Sequence, residues 1–419
     1  MLNKKRLTIY LVFCLSLVAG LILGENSSGG GRIDHSYLLP FIENFSLDFK
    51  SGFKLFLNQP LSLLHSPSFY LIAGFFLKIT QNLIIVKILN IILSCFIPYI
   101  FFLIIKTKYK SSSDYIFYFS LLIFLSPYFR SSATWLLGEN LSLLFFSLSI
   151  LFFNKIDEKK DKISNYYFCF IFLILCTYIR YYYCVFSIYY LIYFYKNLNL
   201  KEISKLILFS SLLSLPAFYY LYYAIINHNF LGTISIFGTV NYYTNTLIIL
   251  TILLFYLFPF ILKDGYLIFE FYKNKYKKIL SIFFIIFTFF LLDNFLLKDL
   301  INFSTRGGGV FFKISNLLNF NSGLFLSVFA FFSLIIIDYL FKNNRLNNYI
   351  LLITLILCLP LFSLYQKYLD PLFYFFFFGL INSSYLKNLV LKESINLTFL
   401  YLYFFSFYLF SIIYYYKGV

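Results

Sequence analysis

Apolar stretches of about 18 residues or more recur from one end of this chain to the other, and that narrows its possible folds more than any motif does. A backbone held in hydrocarbon must satisfy its N–H and C=O groups within the segment, which a helix does. The chain is 61% hydrophobic and 12% charged, against roughly half and a quarter in a soluble domain. The sequence therefore reads as all-α, a polytopic transmembrane helical bundle of about 13 spans. They fall near 7–24, 83–105, 114–129, 136–153, 166–179, 181–195, 206–226, 246–262, 279–297, 319–341, 349–364, 371–386 and 396–416. No stretch is long and polar enough to make a separate soluble domain, so 1–419 reads as a single integral membrane domain.

The formal charge of +17 is not a nucleic-acid signal. Most lysines sit in short loops between apolar runs, as at Lys106–Lys110, Lys155–Lys162 and Lys196–Lys205. Loops held on the cytoplasmic side have this bias. The basic start (Lys4, Lys5, Arg6) before the apolar run from Leu7 to Leu23 reads as an uncleaved first helix, the alternative being a cleaved signal peptide over 1–24, with the N-terminus cytoplasmic in the cell (inner) membrane. The segment 166–195 has lysines on both flanks and is too long for one helix, so it reads as two short spans turning near Arg180. The segment 67–80, "PSFYLIAGFFLKIT", is the reverse case. If it spanned, the basic "KTKYK" would face outside, so it reads as an interfacial or re-entrant helix. The first exterior loop then runs from about 25 to 82 and carries juxtamembrane helices.

Arginine and histidine distribute differently from lysine. Arg32, Arg130, Arg180 and Arg306 all fall at the exterior face, as do His35, His65 and His228. A guanidinium fork binds phosphate oxygens bidentately; the alternative is arginines snorkelling to lipid headgroups. The six cysteines lie in apolar runs without CxxC spacing and read as small buried hydrophobes. Two glycine stretches, "SSGGGR" at 27–32 and "STRGGGV" at 304–310, read as a hinge before the loop and a mobile lid carrying Arg306, or else as plain loop slack. No nucleotide or cofactor signature is present in the sequence, and a divalent metal is left open.

In the first loop, "GRIDHSYLLPFIENF" offers Asp34, His35 and Glu43. Downstream, His65-Ser66-Pro67-Ser68-Phe69-Tyr70 opens an apolar helix. An early acidic residue followed by His-x-Pro-x-x-Tyr resembles the first exterior loop of the GT-C glycosyltransferases. That group includes the protein O-mannosyltransferases, the lipid A aminoarabinose transferase and the dolichyl-phosphate-glucose glucosyltransferases. Three later stretches resemble further family passages: "SPYFRSSATWLLGENLSLLFFSLSILFF" with Glu139, "TYIRYYYCVFSIYYLIYF" with Arg180, and "YQKYLDPLFYFFFF" with Lys367. This chain departs from the pattern in having a lone Asp before its His, and His-Ser-Pro where the family has His-Pro-Pro.

The resemblance implies transfer of a sugar from a polyprenyl-phosphate donor to a glycan, lipid or protein acceptor on the exterior face. It implies inversion and no covalent enzyme intermediate. A carboxylate can deprotonate the acceptor hydroxyl, and cationic donors can hold the leaving phosphate. Asp34 is the candidate base, or alternatively a helix cap. Glu139 is a second candidate catalytic carboxylate, or a charge favoured at a helix N-terminus. His35, His65, Tyr70, Arg130, Arg180, Arg306 and Lys367 are the candidate substrate-binding residues. Two other classes compete. An O-antigen-type polymerase or ligase usually carries its large exterior loop in the second half, where this chain has only the shorter "KDLINFSTRGGGVFFKISNLL". A lipid or solute transporter or flippase predicts mid-membrane ionisable residues and internal repeats, and neither is visible.

Overall fold

A computed structural model describes residues 4–58, 66–156, 163–228, 242–296, 307–359 and 364–416. Every regular element among them is helical. The chain divides into two compact units, Met1–Ile234 with Leu400–Val419, and Ser235–Phe399.

The first unit opens with α1 (Lys4–Ile22), α2 (Gly31–Leu47), α3 (Phe49–Asn58), α4 (Ser68–Thr80) and α5 (Leu83–Tyr109). The long first loop is thus largely helical. Its three helices close over rings: Phe41 meets Phe56 at 5.4 Å and Tyr70 at 5.8 Å, and Phe56 meets Tyr70 at 5.8 Å. The small Gly74 lets α4 approach α2, since a Cβ there would stand 2.8 Å from the Ile42 carbonyl oxygen. At 13 residues α4 is about 20 Å long, too short for a hydrocarbon core of about 30 Å. It ends at Gln81, whose φ of 50° reverses the chain, and Asn82 caps α5 by accepting from the Ile84 N–H at 2.9 Å.

The unit continues through α6 (Asp114–Ser120), α7 (Pro127–Thr134), α8 (Gly138–Asn154), α9 (Ile163–Ile179), α10 (Phe186–Phe194) and α11 (Leu200–His228). The apolar segment 114–129 is divided. Proline lacks an N–H and disfavours a helical residue before it, so Ser126–Pro127 ends one helix and starts the next. Ser126 caps α7 by accepting from the Phe129 N–H at 3.0 Å. Leu136, at φ 52°, then turns α7 into α8 with a bend of 114°. Asn90, Ser94, Ser132 and Asn140 satisfy one another and neighbouring carbonyls inside the α5–α7–α8 contact. The helix α9 stops at Arg180, where the sequence had placed a turn.

The second unit holds α12 (Tyr242–Ile261), α13 (Gly265–Tyr272), α14 (Tyr276–Leu296), α15 (Gly309–Leu317), α16 (Ser322–Leu340), α17 (Arg345–Leu357) and α18 (Ser384–Leu391). A short turn, Leu372–Tyr374, runs into the π-helical Phe375–Leu380, so the segment 371–386 is divided as well. Asp338 is fully buried and ties four helices together. It accepts from Lys278 Nζ at 2.6 and 2.5 Å, from the Tyr272 hydroxyl at 2.5 Å and from the Tyr349 hydroxyl at 2.6 Å. The final helix, α19 (Leu397–Tyr416), belongs to the first unit from Leu400 onward.

Against 13 apolar segments in the sequence, six described helices have both the length and the apolarity to cross a membrane. They are Lys4–Ile22, Leu83–Tyr109, Leu200–Tyr222, Tyr242–Tyr272 taken through its 3₁₀ turn, Ser322–Leu340 and Leu397–Tyr416. Only 11% of the Leu200–Tyr222 window is buried within the protein. Leu208, Leu212, Leu215, Phe218 and Tyr219 stand exposed there. An exposed apolar surface of this kind marks a contact with membrane or with another protein.

One labelling experiment tests this arrangement. In a cysteine-free background, cysteines at Ser68 and Asn82 should react with an impermeant thiol reagent from the same side of the membrane. A cysteine at Ser112, beyond the other end of the 27-residue α5, should react from the opposite side. Ser68 labelling with Ser112 instead would make α4 a span and reverse the reading of the first loop.

Candidate functional site

Two buried ion pairs organise the first unit, and each contains an arginine that the sequence singled out. Arg130 lies on α7, which Pro127 starts. Its Nε and Nη2 donate to Glu25 at 2.8 and 2.6 Å. Nη1 and Nη2 also donate to the Ser16 hydroxyl and carbonyl at 2.9 and 3.0 Å. The Tyr408 ring covers the guanidinium at 4.9 Å. Both charged side chains are 8% exposed. Arg130, a candidate phosphate ligand in the sequence, has its fork engaged by Glu25 and Ser16 in the structure, and it joins α1, α7 and α19.

The second pair is Glu139 Oε1 with Arg180 Nη2 at 2.6 Å. Glu139 stands in the first turn of α8, and Arg180 follows the last turn of α9. The segment from Ser66 to Phe69 comes to the same place. Ser66 donates to the Tyr178 carbonyl, two residues before Arg180. Phe69 packs on Gly138, where a Cβ would sit 3.1 Å from its ring. Motifs far apart in the chain thus meet at the α8–α9 end. His65 and Arg306 lie outside the described residues.

Asp34 and His35 sit in the first two turns of α2. The cap position is Gly30, so Asp34 is not the cap that one sequence reading allowed; it is a half-buried residue of the first turn. His35 is 6% exposed, and its Nδ1 has no hydrogen-bond partner among the described residues. Burial first, and the nearby Lys87 ammonium second, push its pKa down to about 4, so it is neutral at pH 7. The His35 ring lies 6.1 Å from the Trp135 ring, and Lys87 Nζ lies 5.2 Å from the Trp135 ring. The Trp135 indole N–H donates to the Glu25 carbonyl at 2.8 Å, which links this group to the Arg130 clamp.

The first glycine stretch is pinned, not hinged. Ser27 donates to the Pro127 carbonyl at 2.8 Å, Ser28 to the Ser131 hydroxyl at 2.6 Å, and Ser411 to the Ser27 carbonyl at 2.6 Å. A Cβ at Gly29 would overlap the Tyr415 ring, and one at Gly31 the Ser131 hydroxyl. These glycines allow close approach. The end of the second stretch is likewise built in. Gly307–Gly309 are buried, and the Gly308 N–H donates to the Leu364 carbonyl at 2.8 Å. A loose lid does not describe them.

Tyr70, a candidate substrate-binding residue in the sequence, is 3% exposed and forms part of the α2–α3–α4 ring cluster. Lys367 belongs to the second unit, in a 3₁₀ turn, with Nζ 5.7 Å from both the Tyr365 and Tyr368 rings. Sequence reasoning passed over Glu25, Lys87 and Trp135. Trp135 is the only tryptophan in the chain, and Lys87 is a half-buried lysine one turn into a long apolar helix. Both were available as signals.

Fold and site define an all-helical, multi-pass membrane protein whose first unit gathers carboxylates, a neutral histidine and cations around a bent helix pair. No family model, curated protein or solved structure matches the chain. Among the described residues, no group of three or more His, Cys, Asp or Glu is spaced to hold a metal ion.

Proposed function

We propose that this chain is a GT-C-type membrane glycosyltransferase with about 13 spans in all. It transfers a sugar from a polyprenyl-phosphate donor to a glycan, lipid or protein acceptor at the exterior face of the cell membrane. Asp34 is the general base that takes the acceptor proton as the hydroxyl attacks the sugar carbon. The carbon–oxygen bond to phosphate breaks on the opposite side, and configuration inverts. One observation carries the reading. The loop Asp-His pair, the His-x-Pro segment, Glu139 and Arg180, scattered over about 150 residues of sequence, belong to one compact unit built around the α7–α8 bend.

In this reading Glu139 and Arg180 work as a pair. The carboxylate holds the guanidinium in place, and the arrival of a phosphate recruits it. A buried cation fixed by a neighbour is preorganised for a developing negative charge. Arg130 has a different task, holding the wall against which α2 and Trp135 rest.

The test is purified protein in liposomes with a radiolabelled polyprenyl-phosphate sugar and a mixture of lipid and glycan acceptors. Label should move to acceptor and leave polyprenyl phosphate behind. Translocation of the labelled lipid across the bilayer without transfer would make the chain a flippase instead.

A further inference from the structure

The Lys87, His35 and Trp135 group has features that the transferase reading above does not use. Lys87 is a half-buried ammonium in an apolar helix, and no carboxylate pairs with it among the described residues. Three other cations inside the protein have carboxylate partners: Arg130 has Glu25, Arg180 has Glu139 and Lys278 has Asp338. Beside Lys87 is His35, 94% buried by its 6% exposure, with an unpartnered Nδ1. Leaving a buried polar atom unbonded is destabilising. Ionisable residues within membrane helices are rare and serve function by default.

We propose that Lys87 and His35, gathered at the Trp135 ring, form a binding site for a phosphate anion carried by a lipid. The ammonium supplies the charge. The neutral imidazole, in the tautomer with its proton on Nδ1, donates a hydrogen bond to a phosphate oxygen, which can only accept. Lys87 stands about 6 Å in from the start of α5, the depth of a headgroup phosphate rather than of the hydrocarbon centre. Trp135 closes the site with an indole that is already anchored through Glu25. This inference rests on the phosphate-bearing donor of the reading above and adds Lys87 and His35 to Arg180 as groups that hold its phosphate; neither is among the catalytic carboxylates.

The site contains its own reporter. With a single tryptophan in the chain, emission excited where tyrosine does not absorb comes from Trp135 alone. Full-length protein in neutral detergent is titrated with farnesyl phosphate, with farnesol and with inorganic phosphate. Farnesyl phosphate should change Trp135 emission saturably, and farnesol should not. Lys87→Met should weaken farnesyl phosphate binding about tenfold or more, the scale of one charged hydrogen bond. Lys87→Arg should restore most of it, and His35→Phe should weaken it several-fold. Saturation by inorganic phosphate at the same concentration would overturn the lipid-borne assignment in favour of a free anion. No saturable change with either phosphate, or equal affinity in Lys87→Met, overturns the site. If farnesyl phosphate does not bind at Lys87 while the parent protein still transfers sugar in liposomes, the site is overturned and the broader reading stands. Binding without any transfer would overturn that reading and leave the site standing.

Discussion

Arg130→Ala should destabilise the protein by roughly 3–5 kcal/mol, the cost of removing one partner from a buried ion pair. The reason is the state in which it leaves Glu25. That carboxylate is 8% exposed, and Arg130 supplies its charged hydrogen bonds at 2.6–3.1 Å. Arg130→Lys should recover part of the loss. It keeps the charge but cannot bond Glu25 and Ser16 with one planar fork. Glu25→Gln should be milder than Arg130→Ala, because an amide still accepts a hydrogen bond and the leftover guanidinium keeps Ser16 and Tyr408. Replacing both Glu25 and Arg130 by apolar residues of similar volume should cost less than Arg130→Ala alone. Thermal unfolding of the four variants in one detergent checks the series. If Arg130→Ala melts with the parent, the clamp contributes nothing and Arg130 is free to serve as a ligand-binding residue.

How the sequence led and misled follows from the kind of signal each residue gives. Hydrophobic run length is a local property, so helices such as α1, α5, α12 and α19 were legible with boundaries a few residues off. Broken helices were not. The Ser126–Pro127 junction carries a clear local mark, yet the apolar composition running through 114–129 hides it. The π-helical Phe375–Leu380 has no sequence mark, because four phenylalanines in a row suit any buried helix.

The arginines mark the limit of reading by topology. Placing Arg130 and Arg180 at one end of their helices does not reveal that Glu25 and Glu139 wait for them, 105 and 41 positions away. Glycine runs are ambiguous for the same reason. The triplet at 29–31 reads as slack until Tyr415 and Ser131 are seen to occupy the space a side chain would need. His35 was singled out because it follows Asp34. Its burial, and the Lys87 beside it, are tertiary facts with no local trace.

Asp34→Asn carries the second large effect. The change keeps the shape of the side chain and removes its basicity. Asp34 stands in the first turn of α2, half-buried, on the segment that Ser27, Ser28 and the α19 residue Ser411 pin in place. Loss of a general base lowers a rate by about 100-fold or more. Expression, the melting temperature and farnesyl phosphate binding should stay close to those of the parent, because neither the Arg130 clamp nor Lys87 is altered. Glu43→Gln, on the outer part of the same helix, should leave transfer unchanged.

The most direct measurement is therefore the initial rate of sugar transfer from labelled polyprenyl-phosphate donor by liposome-reconstituted parent and Asp34→Asn protein, at saturating acceptor. The account predicts robust transfer by the parent with inversion at the sugar carbon, and a rate for Asp34→Asn lower by about two orders of magnitude. Near-normal turnover by Asp34→Asn would remove Asp34 from the chemistry and move the base to Glu139, and absence of transfer by the parent would contradict the glycosyltransferase assignment itself.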